Sequence, residues 1–341
     1  MVRAFEWLDD SSVLRMLDQT VLPIEERYLN VNTVDALVDA IVTLAVRGAP
    51  ALGAVGAFGV AIAMRQAESE GWSEDRLVTE VDHLRQARPT AVNLSWGVDQ
   101  AWAVAPQGYD AVVTRAKQVA AEDEAANRKL SKLGADWILA RCQANAVRVV
   151  THCNTGALAT TAWGTAYGII HELFDRSALI SVFADETRPL LQGARLTSWE
   201  LTQDGIPHVV EADGAASSTI LSGKVDVAII GADRIAANGD TANKIGSVAL
   251  ALACQRRGIP FVVAAPFSTV DLATESGNEI EIEQRDEAEV LGFAGVRTTP
   301  LSSVGFNPAF DVTPHDLISA IVTERGIVEP SAGKGRLSSL A

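Results

Sequence analysis

The sequence predicts an α/β protein, with an N-terminal mainly helical domain followed by a doubly wound parallel sheet. Three observations point there. Apolar residues recur at helical spacings in the first part of the chain, as at Val34, Leu37, Val38, Ile41, Leu44 and Ala45. From Val147 onward, short runs rich in Val and Ile alternate with helix-length segments, the pattern of parallel pairing. Those runs end in polar or ionisable residues, where a doubly wound sheet carries its ligands.

Taken in order, residues 1–27 read as an irregular or β-rich start. The helix over 34–45 can be capped by Asn32 or Thr33, with Asp35 in its first turn, and it ends at Val46-Arg47-Gly48-Ala49-Pro50. Residues 49–64 form an apolar segment broken by three glycines. It is shorter than the roughly 18 residues of a membrane span and reads as a buried helix. A charged amphipathic helix is expected around 111–133. The domain boundary falls where the texture changes, giving domains 1–145 and 146–341. Strands are expected over 147–152, 180–184, 208–211, 225–230 and 261–265, with helices over 157–174 and 241–257. The Gly/Ser/Lys-rich stretch 331–341 reads as a frayed end.

The 341 residues are 48% hydrophobic and 21% charged, a globular balance. The first ten residues lack a basic-then-apolar leader pattern, so a cytoplasmic protein is expected. Cys142, Cys153 and Cys254 are too scattered for a disulfide framework. No Cys or His cluster has zinc spacing, so neither a metal nor another cofactor is expected. A net charge of -15 disfavours nucleic acid and anionic membranes. It also repels a phosphorylated substrate at long range, so any phosphate site must be a local cluster of cations and N–H groups.

The strand ends hold the candidate chemistry. Cys153, in Thr151-His152-Cys153-Asn154-Thr155-Gly156, lies at an expected strand-to-helix turn. A helix N-terminus and His152 would there lower a thiol pKa; the competing reading is a small buried hydrophobe. Asp233, after an apolar strand, reads either as a partly desolvated general acid or as a helix cap or partner of Arg234. His152 reads as a satisfied structural histidine. In 47–50, small residues let N–H groups approach an anion, although a tight helix–helix turn is the commoner reading of such a stretch. Arg88-Pro89-Thr90 and Asn243-Lys244 read as loop pairs or plain surface. Cys142 and Cys254 fall in helical segments as core.

Seven strings carry a family resemblance: VRGAPALGAVGAFGVA (46–61), RPTAVNLSWGVD (88–99), THCNTGALATTAWGTAYG (151–168), DETRPLLQGARLTSWEL (185–201), GADRIAANGDTANKIGS (231–247), VAAPFSTVDL (263–272) and NPAFDVTP (307–314). In this order they resemble the methylthioribose-1-phosphate isomerase family of methionine salvage. Its superfamily also holds regulatory subunits of translation initiation factor 2B and ribose-1,5-bisphosphate isomerase. The resemblance implies a helical domain contributing phosphate contacts, a Rossmann-like catalytic domain, a homodimer and a small sugar-phosphate substrate. It assigns catalysis to Cys153 and Asp233, and substrate contacts to Arg47, Gly48, Ala49, Arg88, Gln192, Asn243 and Lys244. Where the family reads Asp-Ser-Met-Ala, this chain has Asp213-Gly214-Ala215-Ala216, which leaves 5-deoxyribose 1-phosphate open as a substrate. The superfamily leaves two more readings: ribose 1,5-bisphosphate as substrate, for which no second cationic cluster is visible, and a non-catalytic regulatory subunit.

Overall fold

A computed structural model describes residues 2–88 and 92–341. Pro89 and Thr90, named above beside Arg88, lie outside the described residues. The chain forms two compact units: Met1–Arg128 with Thr155–Gly164, and Lys129–Asn154 with Thr165–Ala341. Against a single cut after residue 145, the end of a long helix goes with the second unit and a ten-residue segment goes with the first.

In the first unit, β1 (Phe5–Leu8), β2 (Val13–Leu17) and β3 (Tyr28–Val31) make an antiparallel meander. Helix α1 (Val34–Val42) starts at Thr33, whose hydroxyl accepts from the Ala36 N–H. Its spaced apolar residues Val34, Leu37 and Ile41 are buried. Helix α2 (Ala49–Glu70) runs beyond the apolar 49–64 segment. It is buried on every side from Ala51 to Ala63, so its composition is apolar all round rather than amphipathic. Then come α3 (Glu74–Arg85), capped by Ser73, α4 (Val92–Trp102) and α5 (Tyr109–Cys142). The charged stretch 111–133 is the middle of this 34-residue helix, which ends in the second unit.

The second unit holds β4 (Val147–Thr151), β5 (Leu179–Asp185), β6 (His208–Glu211), β7 (Val227–Ile230), β8 (Arg234–Ala236), β9 (Thr241–Lys244) and β10 (Phe261–Ala264). It continues with β11 (Val270–Asp271), the hairpin β12 (Gly292–Phe293) and β13 (Val296–Arg297), then β14 (Phe310–Thr313), β15 (Ala320–Thr323) and β16 (Gly326–Val328). Its helices are α6 (Ala166–Asp175), α7 (Ser198–Gln203), α8 (Ala216–Leu221), α9 (Ser247–Arg257) and α10 (Ala288–Leu291). The main sheet has the order β16-β15-β10-β7-β4-β5-β6, parallel except for the β15–β16 pair. Successive strand residues point to opposite faces. Accordingly Val149, Val227, Ile229 and Val262 join one buried cluster, while Val150, Ala228, Ile230 and Phe261 join another. Burial on both faces explains why these strands read as continuous apolar runs. A smaller sheet, β11-β8-β9-β14, follows the sheet's carboxyl edge in sequence at β8.

Three sequence expectations are corrected. Residues 157–174 are not one helix: a short turn, Ala157–Ala159, is followed by irregular chain through Gly164 at φ +90°, and α6 starts only at Ala166. Residues 241–257 divide into β9 and α9. Thr241 and Ala242 pair with β8 and β14, and Gly246 at φ +112° turns the corner. The 331–341 stretch is anchored rather than frayed, since Leu337 is buried in the core and Glu329 bridges to Lys334. Among the described residues no helix is long and apolar enough to cross a membrane.

Candidate active site

The end of β4 is held by an unusual number of polar contacts. Cys153 adopts φ +64°, the left-handed region, which a side chain occupies only at a cost of about 1–3 kcal/mol and only when its surroundings hold it there. Those surroundings are Thr187 and Thr197. The Cys153 N–H donates to Thr187 Oγ1 at 2.9 Å, and its carbonyl accepts from Thr197 Oγ1 at 2.6 Å. Thr187 Oγ1 in turn donates to the Asp185 carbonyl at 3.0 Å. Next along, Asn154 donates to Glu200 Oε2 and to Thr197 Oγ1. Cys153 itself is buried, with 7% exposure. The expectation of a helix N-terminus at this thiol is corrected: no helix starts at Cys153, and the nearest downstream turn begins at Ala157.

His152 is fully enclosed. Its Nδ1 lies 2.8 Å from Asp185 Oδ2 and its Nε2 lies 2.8 Å from the Ile245 carbonyl. Burial works against a charged ring, but the hydrogen bond and charge of Asp185, with Asp213 behind it, outweigh that and raise its pKa. Burial lifts Asp185 to about 6, against the pull of the His152 hydrogen bond and charge. Asp213 accepts from the Thr187 and Arg188 N–H groups, each at 2.7 Å, and so sets the turn after β5. His152, Asp185 and Asp213 are close enough to suggest a cation site, but both ring nitrogens and both Asp213 oxygens are committed to these bonds. A side chain at Gly214, which is exposed, would meet nothing within 4 Å, so a larger residue there would leave this turn's hydrogen bonds intact.

Asp233 lies between β7 and β8, and its N–H donates to the Ala242 carbonyl at 2.9 Å. The expected partial desolvation is corrected, because the residue is exposed in the single chain. The competing readings change too. A strand, not a helix, follows Asp233, and Arg234 pairs with Asp271 at 3.9 Å. Asn243 and Lys244, expected at the surface or in a loop, are buried on β9. Asn243 Nδ2 donates to Ser247 Oγ at 2.9 Å. Lys244 Nζ donates to the Ala309 carbonyl at 2.8 Å and lies over the Phe310 ring. Gln192 is 5% exposed, and its Oε1 is buried with no hydrogen-bond partner among the described residues. It directly precedes a π-helical turn, Gly193–Thr197, the kind of irregularity found at functional sites. A buried acceptor left unmatched costs about 1–3 kcal/mol, which a ligand donor can recover.

In the first unit, Gly48 at φ +98° packs so tightly on the Ala159 carbonyl that a Cβ would sit 2.2 Å from that oxygen. It opens α2, whose first turn has no acidic residue and no side-chain cap. The first N–H groups of such a helix attract an anion. Arg47, half-buried, immediately precedes it, and Arg88 is half-buried after α3. Thr187, Thr197, Asp185 and Asp213 were missed as site residues by sequence reasoning. Asp185 and Asp213 did stand at strand ends, a usable signal, whereas nothing marked the two threonines.

Residues 45–330 match the model of the Initiation factor 2 subunit family. The methylthioribose-1-phosphate isomerase of Anaeromyxobacter dehalogenans (strain 2CP-C) is 48% identical over 98% of this chain and 95% of its own length. The chain belongs to the methylthioribose-1-phosphate isomerase branch of the initiation factor 2 subunit family. Another relative in this branch is the probable bifunctional methylthioribose-1-phosphate isomerase/methylthioribulose-1-phosphate dehydratase of Nocardia farcinica (strain IFM 10152), 50% identical over 94% of this chain. The chain spans only 59% of that relative's length. Among solved structures, 5-methylthioribose 1-phosphate isomerase from Pyrococcus horikoshii OT3 superposes with a TM-score of 0.86 at 36% identity, covering 97% of this chain and 93% of that one. The delta subunit of initiation factor eIF-2B from A. fulgidus superposes at 0.85 and 37% identity, covering 97% and 96%. The branch shares a mixed α/β fold with a parallel sheet region, as the resemblance implied.

Proposed function

We propose that this chain is an aldose–ketose isomerase that converts 5-methylthioribose 1-phosphate to 5-methylthioribulose 1-phosphate in methionine salvage. The observation that carries this reading is the Cys153 turn, a strained thiol-bearing residue pinned on both sides of its backbone at the end of a parallel strand. The names of the relatives support the substrate. On this reading the Rossmann-like second unit is catalytic, the first unit supplies phosphate contacts, and the chain works as a cytoplasmic homodimer without a cofactor.

The phosphate on the anomeric oxygen blocks ordinary ring opening, so the C1–ring-oxygen bond must break with the phosphate in place. Asp233 is the general acid that donates a proton to the departing ring oxygen, which requires bound substrate to enclose a carboxyl that is exposed in the free chain. Hydrogen then moves from C2 to C1. In one route Cys153 thiolate takes the C2 proton and returns it to C1 through an enol phosphate. In the other, hydride shifts directly, the C2 hydroxyl loses its proton, and Cys153 stabilises charge. Arg47, the Gly48 and Ala49 N–H groups and Lys244 hold the phosphate, while Arg88, Gln192 and Asn243 orient the substrate. One fixed donor in a dry site is worth about 3–4 kcal/mol in the transition state.

The test is turnover by the purified full chain of 5-methylthioribose 1-phosphate, 5-deoxyribose 1-phosphate and ribose 1,5-bisphosphate, side by side. The expected result is the highest kcat/KM for the first sugar. No turnover of any of them would favour the regulatory-subunit reading, and a higher value for another sugar would reassign the substrate.

A further inference from the structure

The ring of His152 faces a backbone carbonyl on one side and a carboxyl group on the other. The Ile245 carbonyl can only accept, so Nε2 carries a hydrogen, and the Asp185 carboxylate accepts at Nδ1. The carboxylates on the surrounding elements are Asp185 at the end of β5, Asp213 after β6 and Asp311 on β14. Asp213 and Asp311 are themselves held by N–H groups, Asp311 by those of Gly246 and Val248. The ring also lies flush on Gly246, where a Cβ would come within 2.8 Å of Cε1. One side of the ring is therefore tied through the chain to Cys153. The other is tied to the residue that directly follows Asn243 and Lys244.

We infer that His152 is a permanently protonated positioning residue, an imidazolium that fixes the Cys153 turn against the strand carrying Asn243 and Lys244. It does not touch substrate. The inference rests on the isomerase reading for its consequence in turnover, but not for the state of the ring. With the positive charge present, the Asp185 and Ile245 bonds both persist and the two segments keep one spacing. With the ring neutral and Asp185 ionised, Nδ1 and the carboxylate both present lone pairs, so that bond is lost and the spacing relaxes.

The test uses the full chain with nitrogen-15-labelled histidine. The chain has five histidines. The His152 signal is identified by its loss in His152→Gln or, should that variant not fold, by replacing the other four in turn. Both ring nitrogens are expected to carry hydrogen without change from pH 6 to 8. A ring with a single N–H, or a titration midpoint inside that window, overturns the inference whatever the activity. Asp185→Asn supplies the second readout. Its kcat is expected to fall at least ten-fold at pH 8 and to recover partly toward pH 6 as the ring regains its proton. A kcat profile parallel to that of the parent chain would also overturn it, reducing the pair to scaffolding. If Asp185→Asn does not fold, the ring signal of the parent decides alone. Failure of the isomerase reading looks different: no turnover at any pH, with the doubly protonated ring intact.

Discussion

At the scale of single residues, the site depends on groups whose partners are distant in sequence. Cys153→Ser and Asp233→Asn are each expected to lower kcat by about 100-fold or more with an unchanged circular-dichroism spectrum. Near-parent turnover in either variant would remove that residue from the chemistry. Thr187→Val leaves the Cys153 N–H without its acceptor. It should cost about 1–3 kcal/mol in denaturant unfolding and lower kcat more than it raises KM, because the thiol's backbone geometry relaxes. An unchanged unfolding midpoint would show that the N–H finds another partner. Cys153 was legible in the sequence from its place at a strand end. Its two clamps were not, because Thr187 and Thr197 lie 34 and 44 residues away and their hydroxyls carry no periodic signal. The exposure of Asp233 was equally hidden, since an apolar strand before a carboxylate says nothing about the space after it.

At the scale of elements, β4, β7 and β10 were readable because burial on both sheet faces makes them continuous apolar runs, whereas β5 and the edge strand β6, with Ile180, Val209 and Val210 exposed, were readable from their Val and Ile content alone. β9 was not, because Thr241 to Lys244 are mostly polar and are strand only through their partners β8 and β14. The corner between β9 and α9 depends on Gly246. Gly246→Ala should destabilise the chain by about 1–3 kcal/mol, because it combines a left-handed backbone with a collision against His152. A chemical-denaturation midpoint equal to the parent's would contradict that packing. The turn before β9 depends on a carboxylate. Burial pushes Asp240 up, but hydrogen bonds from Asn238, the Gly277 N–H and His315 outweigh it and bring its pKa from the ordinary 3.8 down to about 2. A depressed carboxylate stabilises the fold fully above its unfolded value and loses that contribution as pH falls through the folded one. With solvent screening discounted, Asp240→Asn should therefore cost about 1 kcal/mol near pH 7 and only a small fraction of that near pH 2, where the folded carboxyl is half protonated. A penalty of the same size at both pH values would show that its charge is irrelevant.

At the scale of the whole molecule, the chain is strongly acidic while the proposed substrate is an anion. The screening length shrinks from about 30 Å at 0.01 M salt to about 8 Å at 0.15 M. If net charge governs encounter, kcat/KM should rise about two-fold across that range. A fall would mean that local positive charge at the proposed phosphate contacts dominates instead. The composition made this conflict legible, whereas the route of the backbone was not readable at all. The chain leaves one unit for the other after Arg128, returns after Asn154 and leaves again after Gly164. The returning stretch buries Leu158 and Ala159 with the N-terminal body, while Leu130, Ala135 and Ile138 fill the core of the C-terminal one. No scissor cut between residues yields two intact halves. Severing the gene at 145 gives an N-terminal product missing part of its own interior, which should bind hydrophobic dyes and lack a sharp melting transition. The two bodies are stitched rather than strung, so neither can be excised as one continuous stretch of chain.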